Sequence, residues 1–180
     1  MKADVKKSIM VNYEIATARP KDLPLLTGVE LAAARLLAGH APESVLSVAT
    51  SQEDFERSRG EGLLWVALAD DVPVGFAQLK ILEATVAHLN EIDVHPDHGR
   101  RGIGRRLVRA VCEWSALHEY QAVTLATFRD VQWNMPFYAK MGFEVIAPQN
   151  LSSALRLVID DEKRRGLDTT RRVVMQRRSV

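Results

Sequence analysis

Glu91-Ile92-Asp93-Val94-His95-Pro96-Asp97-His98-Gly99-Arg100-Arg101-Gly102-Ile103-Gly104-Arg105-Arg106-Leu107 runs from a strand, through a loop, into the start of a helix. Residues 86–94 have strand character, and Pro96 stops them. From Ile103 onward Leu107, Val108, Val111, Trp114 and Leu117 recur at helical spacing on one face. The first N–H groups of a helix have no intrahelical partner, and the helix dipole makes that end positive. Gly102 and Gly104 have no Cβ to keep an anion away from the main chain, and Arg100, Arg101 and Arg105 add charge within reach. Five arginines lie between Arg100 and Arg109 with no acid among them, more than a solvated face requires. The physical reading is a seat for a diphosphate group. It is not a Walker A loop, because no Lys-Ser/Thr pair follows. It is not a dinucleotide fingerprint either, because Leu107 stands where a third glycine is needed.

Outward from this turn, residues 13–17 alternate as a first strand. Asp22 is placed to cap a helix carrying Leu25, Leu26, Val29, Ala32, Ala33, Leu36 and Leu37, which Gly39 ends. Ser51 resembles the N-cap of a short polar helix over 52–59. Residues 63–68 and 72–79 read as a hairpin about Asp70-Asp71. Beyond the glycine-rich turn come a strand at 122–128, a short helix at 136–140, a strand at 143–146 and a helix at 151–164. A last strand at 172–176 is expected at a sheet edge because arginines flank it. Three strands in succession argue for antiparallel pairing, and the strand–helix–strand unit over 86–128 argues for a parallel pair.

Composition narrows the function classes. The chain has 180 residues, enough for one domain of ordinary size. Lys+Arg number 24 against 23 Asp+Glu, so the basic excess of a nucleic-acid binder is missing, and nucleic acid is not an expected partner. The apolar content of 47% excludes an acidic disordered protein. Cys112 is the one cysteine, which rules out an intrachain disulfide and a cysteine metal cluster. The longest apolar runs, such as residues 63–69, fall far short of the ~20 residues that a bilayer needs, and no apolar segment follows the lysines of the N-terminus. A cytoplasmic protein without membrane contact is expected, and a homodimer is left open.

The stretch from Val94-His95-Pro96 to Leu107, followed by Pro136-Phe137-Tyr138-Ala139-Lys140-Met141-Gly142-Phe143 with a strand between, resembles the GNAT N-acetyltransferase superfamily. That family's acyl-coenzyme A loop is written Gln/Arg-x-x-Gly-x-Gly/Ala. Here Gly99 occupies the Gln/Arg position, and Val131 stands where many members have an asparagine seven residues before the tyrosine. The resemblance implies an α/β fold: a single domain over 1–180 with its core at about 13–178 and residues 1–12 as a loosely ordered tail. A central mixed, mostly antiparallel sheet flanked by helices would splay between strand ends near Val94 and Phe128. It implies acetyl-coenzyme A as co-substrate, no metal, and transfer of acetyl to a primary amine by direct attack in a ternary complex. A non-catalytic acyl-coenzyme A sensor on the same fold is the alternative.

By the same resemblance, Arg100, Arg101, Gly102, Ile103, Gly104 and Arg105 would hold the diphosphate. Ile92, Asp93 and Val94 would line the pantetheine arm, with Asn134 and Phe137 beside it. Tyr138 matches the family tyrosine that protonates the departing sulfur, a phenol of pKa ~10 against a thiol of ~8.5. Glu91 and Asp93 share one face of their strand, opposite Ile92 and Val94. Carboxylates in mid-strand need a reason. Glu91 is read as general base or substrate contact, and a salt bridge to an arginine of the following helix is the structural alternative. Glu30 is expected on an exposed flank, with the acceptor cleft as its alternative, Trp133 in the core, with the cofactor wall as its alternative, and Cys112 as a small buried hydrophobe. His40, His88, His95, His98 and His118 show no metal-ligand spacing. The acceptor should be selected by residues 23–62 and the loop before Val86, where no motif is legible.

Overall fold

The computed structural model describes residues 11–179; the expected N-terminal tail lies outside them, apart from its last two residues. Seven strands form one sheet in the order β1-β2-β3-β4-β5-β7-β6. They are β1 (Tyr13–Thr17), β2 (Leu64–Ala69), β3 (Val72–Glu83), β4 (Val86–Val94), β5 (Ala122–Phe128), β6 (Glu144–Val145) and β7 (Arg172–Arg178). The helices are α1 (Leu23–Ala34), α2 (Glu43–Leu46), α3 (Gln52–Gly60), α4 (Ile103–Leu117), α5 (Met135–Ala139) and α6 (Ser153–Arg164). β4 and β5 are parallel, and every other pair is antiparallel. Among the described residues no helix is long and apolar enough to cross a membrane.

The sheet is covered on both faces. Leu23, Leu26 and Val29 of α1 and Phe55 of α3 pack with Leu64, Val66 and Phe76 on one side. Ile103, Leu107, Val108 and Val111 of α4 pack with Ala77, Leu79, Ala87 and Leu89 on the other. Asp70 and Asp71 both take positive φ, 47° and 70°, as the tight two-residue hairpin between β2 and β3 demands. Ser51 caps α3 as expected, accepting from the Asp54 N–H at 3.1 Å.

Three expectations are corrected here. The last strand is not at an edge: β7 lies between β5 and β6, and the two-residue β6 takes the edge. Its arginines are accommodated because Arg172 pairs with Glu162 of α6. Asp22 stands at the N-cap of α1, but its carboxylate accepts from Arg19 instead of the helix. Leu117, placed on the apolar face of α4, is 81% exposed at the helix's last turn.

The ladder between β4 and β5 ends early. Only Val86 to Leu89 pair with Ala122 to Leu125, while β4 continues to Val94 and β5 to Phe128. At the same level β4 carries a bulge: Leu89 pairs with Leu79 and Glu91 with Gln78, leaving Asn90 as the extra residue. The Asn90 amide donates to Gln78 Oε1 at 2.9 Å, and the buried Gln78 donates to Ser58 Oγ at 2.8 Å, which anchors the bulge to α3. Past it, β4 approaches β3 so closely that a Cβ on Gly75 would stand 2.8 Å from the Asp93 carbonyl oxygen. Gly75→Ala is therefore expected to destabilise the fold by about 1–3 kcal/mol, as overpacking does, and denaturant titration reads the loss directly.

Candidate active site

The splayed end of β4 faces the N-terminus of α4. Gly102 is the N-cap, with φ +75°, and no atom lies within 4 Å of where its Cβ would stand. The first bond into the helix runs from the Arg106 N–H to the Gly102 carbonyl at 3.1 Å, which leaves Ile103, Gly104 and Arg105 N–H groups without helical acceptors. The Ile103 side chain is in the core, so this residue offers the site its N–H alone. A Cβ on Gly104 would lie 3.7 Å from Phe137 and 4.0 Å from Val94, so the loop, β4 and α5 converge at this point. Arg105 lines a groove of about 450 Å³ with Arg109, Lys140, Arg177 and Arg178. The last three of these are contributed by α5's end and β7, and nothing in the local sequence pattern ties them to the turn. Arg100 is exposed, with φ 59°. Arg101 lies over the Tyr13 ring at 5.9 Å, and Arg106 donates to the Tyr13 carbonyl at 2.8 Å, so these two also brace β1. A larger hollow of about 530 Å³ sits by Trp114 and Tyr120, at the opposite end of α4 from this loop.

Residues paired directly across a ladder point to the same face. Asp93 pairs with Phe76 and Glu91 with Gln78, and those partners belong to the side covered by α1 and α3. Ile92 pairs with Ala77 and, like Val94, borders the core under α4. Both carboxylates therefore look toward α1, and neither pairs with an arginine of α4. Tyr138 comes from the other face. Its ring packs edge-on to Phe137 and Phe143, at 5.0 and 5.9 Å, beside the α4 core. The two faces communicate because the sheet is open there.

The electrostatics follow this geometry. Burial pushes the Glu91 carboxyl up to about 7, with repulsion from Glu30 added and Arg165 and Arg172 opposing. Asp93 is also raised well above the carboxylate range, by burial first and then by Glu91 and Glu30. The two carboxylates form one coupled unit that is reluctant to carry two charges. One oxygen of it, Asp93 Oδ2, is buried without a hydrogen-bond partner. The Tyr138 phenol is raised by burial and by Glu91 and Asp93, so it stays protonated at neutral pH. His88, which hydrogen-bonds Thr124 at 2.9 Å, is depressed to about 4 by burial and is neutral.

Two readings of single residues change, those of Glu30 and Trp133. Glu30 is not on an exposed flank: it is 8% exposed, and Thr50 donates to it through N–H (2.9 and 3.0 Å) and Oγ1 (3.1 Å). The signal was present, since Glu30 falls on the same helical stripe as Leu23, Leu26 and Ala33. Trp133 is not in the core but 52% exposed, edge-on to His40 at 6.1 Å. Asn134 is the N-cap of α5 by position, yet its side chain makes no capping bond and is left for other work. Cys112 is partly buried against the α4 core, and burial raises its thiol.

A model of the "Acetyltransferase (GNAT) family" matches residues 31–143. The chain belongs to that family. Membership agrees with the glycine-rich turn and the split sheet. An acetyl transferase of Oryza sativa subsp. japonica, GW6a, is 38% identical over 88 residues, which is 49% of this chain and 20% of that protein. The chain thus spans about a fifth of the length of this curated relative. Among solved structures, PaiA N-acetyltransferase from Thermoplasma acidophilum in complex with coenzyme A superposes with a TM-score of 0.74 at 20% identity, over 93% of this chain and 99% of that one. N-acetylglutamate synthase from Neisseria gonorrhoeae gives 0.69 at 18% identity, over 94% of this chain and 35% of that one. At such identities the likeness establishes the GNAT fold.

Proposed function

We propose that this protein transfers an acetyl group from acetyl-coenzyme A to a primary amine by direct attack in a ternary complex. The observation that carries the reading is the opening of the sheet after Leu89 and Leu125, with the free N–H groups of α4 on one face and two raised carboxylates on the other. Acetyl-coenzyme A supplies an activated acetyl group and a thiolate leaving group. The residues present fit it: Gly102, Gly104, Arg100, Arg101 and Arg105 form the anion seat, with Ile103 adding its N–H. β4 from Asn90 to Val94 turns an edge with no strand partner toward the opening. On that edge Ile92, Asp93 and Val94 would pair with the pantetheine amides as a missing strand would. Phe137 walls the seat, and Asn134 offers a free side-chain amide.

The amine arrives from the α1 face as an ammonium with pKa near ~10.4 and must lose a proton before it attacks. Glu91, held at about 7, is the group poised to take it at neutral pH. Tyr138 stands across the opening as proton donor to the sulfur. The whole chain is proposed to act as one acetyltransferase unit in the cytoplasm, with acetyl-coenzyme A and the amine as its partners.

Glu91→Gln is expected to lower kcat/KM at neutral pH more than Asp93→Asn does. The wild-type profile should rise through about pH 7 as Glu91 ionises. The mutant's deficit should shrink at high pH, where free amine is supplied by solution. Thiol release from acetyl-coenzyme A across a pH series measures both. A deficit constant across pH would assign Glu91 to positioning instead of proton removal.

A further inference from the structure

We propose that the acceptor is a small aliphatic diamine or polyamine, with one ammonium group held by Glu30 while the amine to be acetylated lies at Glu91 and Asp93. The inference rests on the acetyl-transfer reading above and names the substrate class. Three carboxylates from two elements meet on one side of the sheet: Glu30 on the buried face of α1, and Glu91 and Asp93 on the side of β4 that α1 covers, both within electrostatic reach of Glu30. Asp93 Oδ2 is an independent sign of a missing donor, since it is out of solvent and unpartnered. A buried acceptor left in that state is costly, and an ammonium brings three N–H groups. Glu30 is different: Thr50 fixes its carboxylate, and the remaining lone pairs are open to a further cation.

The surrounding charges do not cancel these acids. Arg172 is committed to Glu162 at 2.9 Å, both side chains nearly buried. Arg165 is the other cation felt by Glu30 and Glu91, and Tyr138 is neutral. Glu91 and Asp93 resist a second charge by themselves, but an ammonium beside them favours their charged forms, and with all three carboxylates then ionised against Arg165 the excess is two negative charges. A monoamine leaves one of them unmet, and an amino acid adds a third. A diamine matches the excess. Among the described residues no group of three such side chains is placed to hold a metal ion.

The test is thiol release from acetyl-coenzyme A by the full chain with n-butylamine, putrescine, spermidine and γ-aminobutyrate. Putrescine or spermidine should exceed n-butylamine in kcat/KM by roughly 10- to 100-fold, the worth of a charged hydrogen bond, and γ-aminobutyrate should be slowest. In Glu30→Gln the diamine-to-monoamine ratio should fall to within about threefold, with melting confirming that the variant is folded. The ranking in the unaltered protein decides the matter even if that variant does not fold. Equal rates for n-butylamine and putrescine, or an unchanged ratio in folded Glu30→Gln, would overturn the inference and leave the transferase reading standing. Absence of turnover with every amine, coenzyme A binding intact, would remove both.

Discussion

Replacing Gly102 by glutamate is expected to abolish coenzyme A binding in a protein that still folds. Two effects add. The new side chain projects into open space beside the free N–H groups of α4, where the diphosphate must sit, and its charge repels the ligand. Two unit charges 4 Å apart interact by about 4 kcal/mol at an effective dielectric of 20. Gly102 is exposed, so solvent reduces this to on the order of 1–2 kcal/mol, or roughly five- to thirtyfold in affinity. Occupation of the seat itself brings the total loss to at least ~10²-fold. The φ of +75° means that any side chain is strained there, at about 1 kcal/mol. Gly102→Ala isolates that cost: it should lower stability by a similar amount and retain most of the affinity. Calorimetric titration of both variants makes the comparison, and full affinity in folded Gly102→Glu would refute the anion seat.

Tyr138→Phe should bind coenzyme A as the parent does and turn over about 10²-fold more slowly, the low end of what general acid catalysis contributes. The low end is chosen for a physical reason. Burial, and after it Glu91 and Asp93, raise the phenol, and a weaker acid is a poorer donor. The ring of Phe keeps the edge-on contacts with Phe137 and Phe143, so cofactor affinity is a fair control. Steady-state kcat together with calorimetry separates the two. A variant as fast as its parent would give the protonation to water.

The strand–loop–helix course of the glycine-rich turn and the shared face of Glu91 and Asp93 were legible because each rests on short-range pattern, whereas Tyr138 was singled out by the family resemblance alone. The position of β7 was not, because its arginines signal solvent only until Glu162 is brought to them from another helix. Glu30 was discounted for a similar reason, since the stripe that carries it was visible but its partner Thr50 lies twenty residues on. Trp133 was misplaced because aromatic size argues for burial, while the loop between β5 and α5 holds it against His40 at the surface. The basic groove could not be seen at all, as Arg105, Lys140 and Arg177 meet only after the sheet has formed.

The extra residue at Asn90 acts on β4 as a frameshift acts on a message. Before it, odd-numbered residues such as Ala87 and Leu89 face α4; after it, even-numbered Ile92 and Val94 do, and the odd positions are released to carry charge. Removing Asn90 would restore a single parity along the strand. Deletion would leave Glu91 and Asp93 on the α1 side and Ile92 and Val94 under α4, whereas pairing Asn90 as an ordinary ladder residue would drive the two acids into the apolar layer, so it is the bulge that keeps the strand's chemistry apart from its packing.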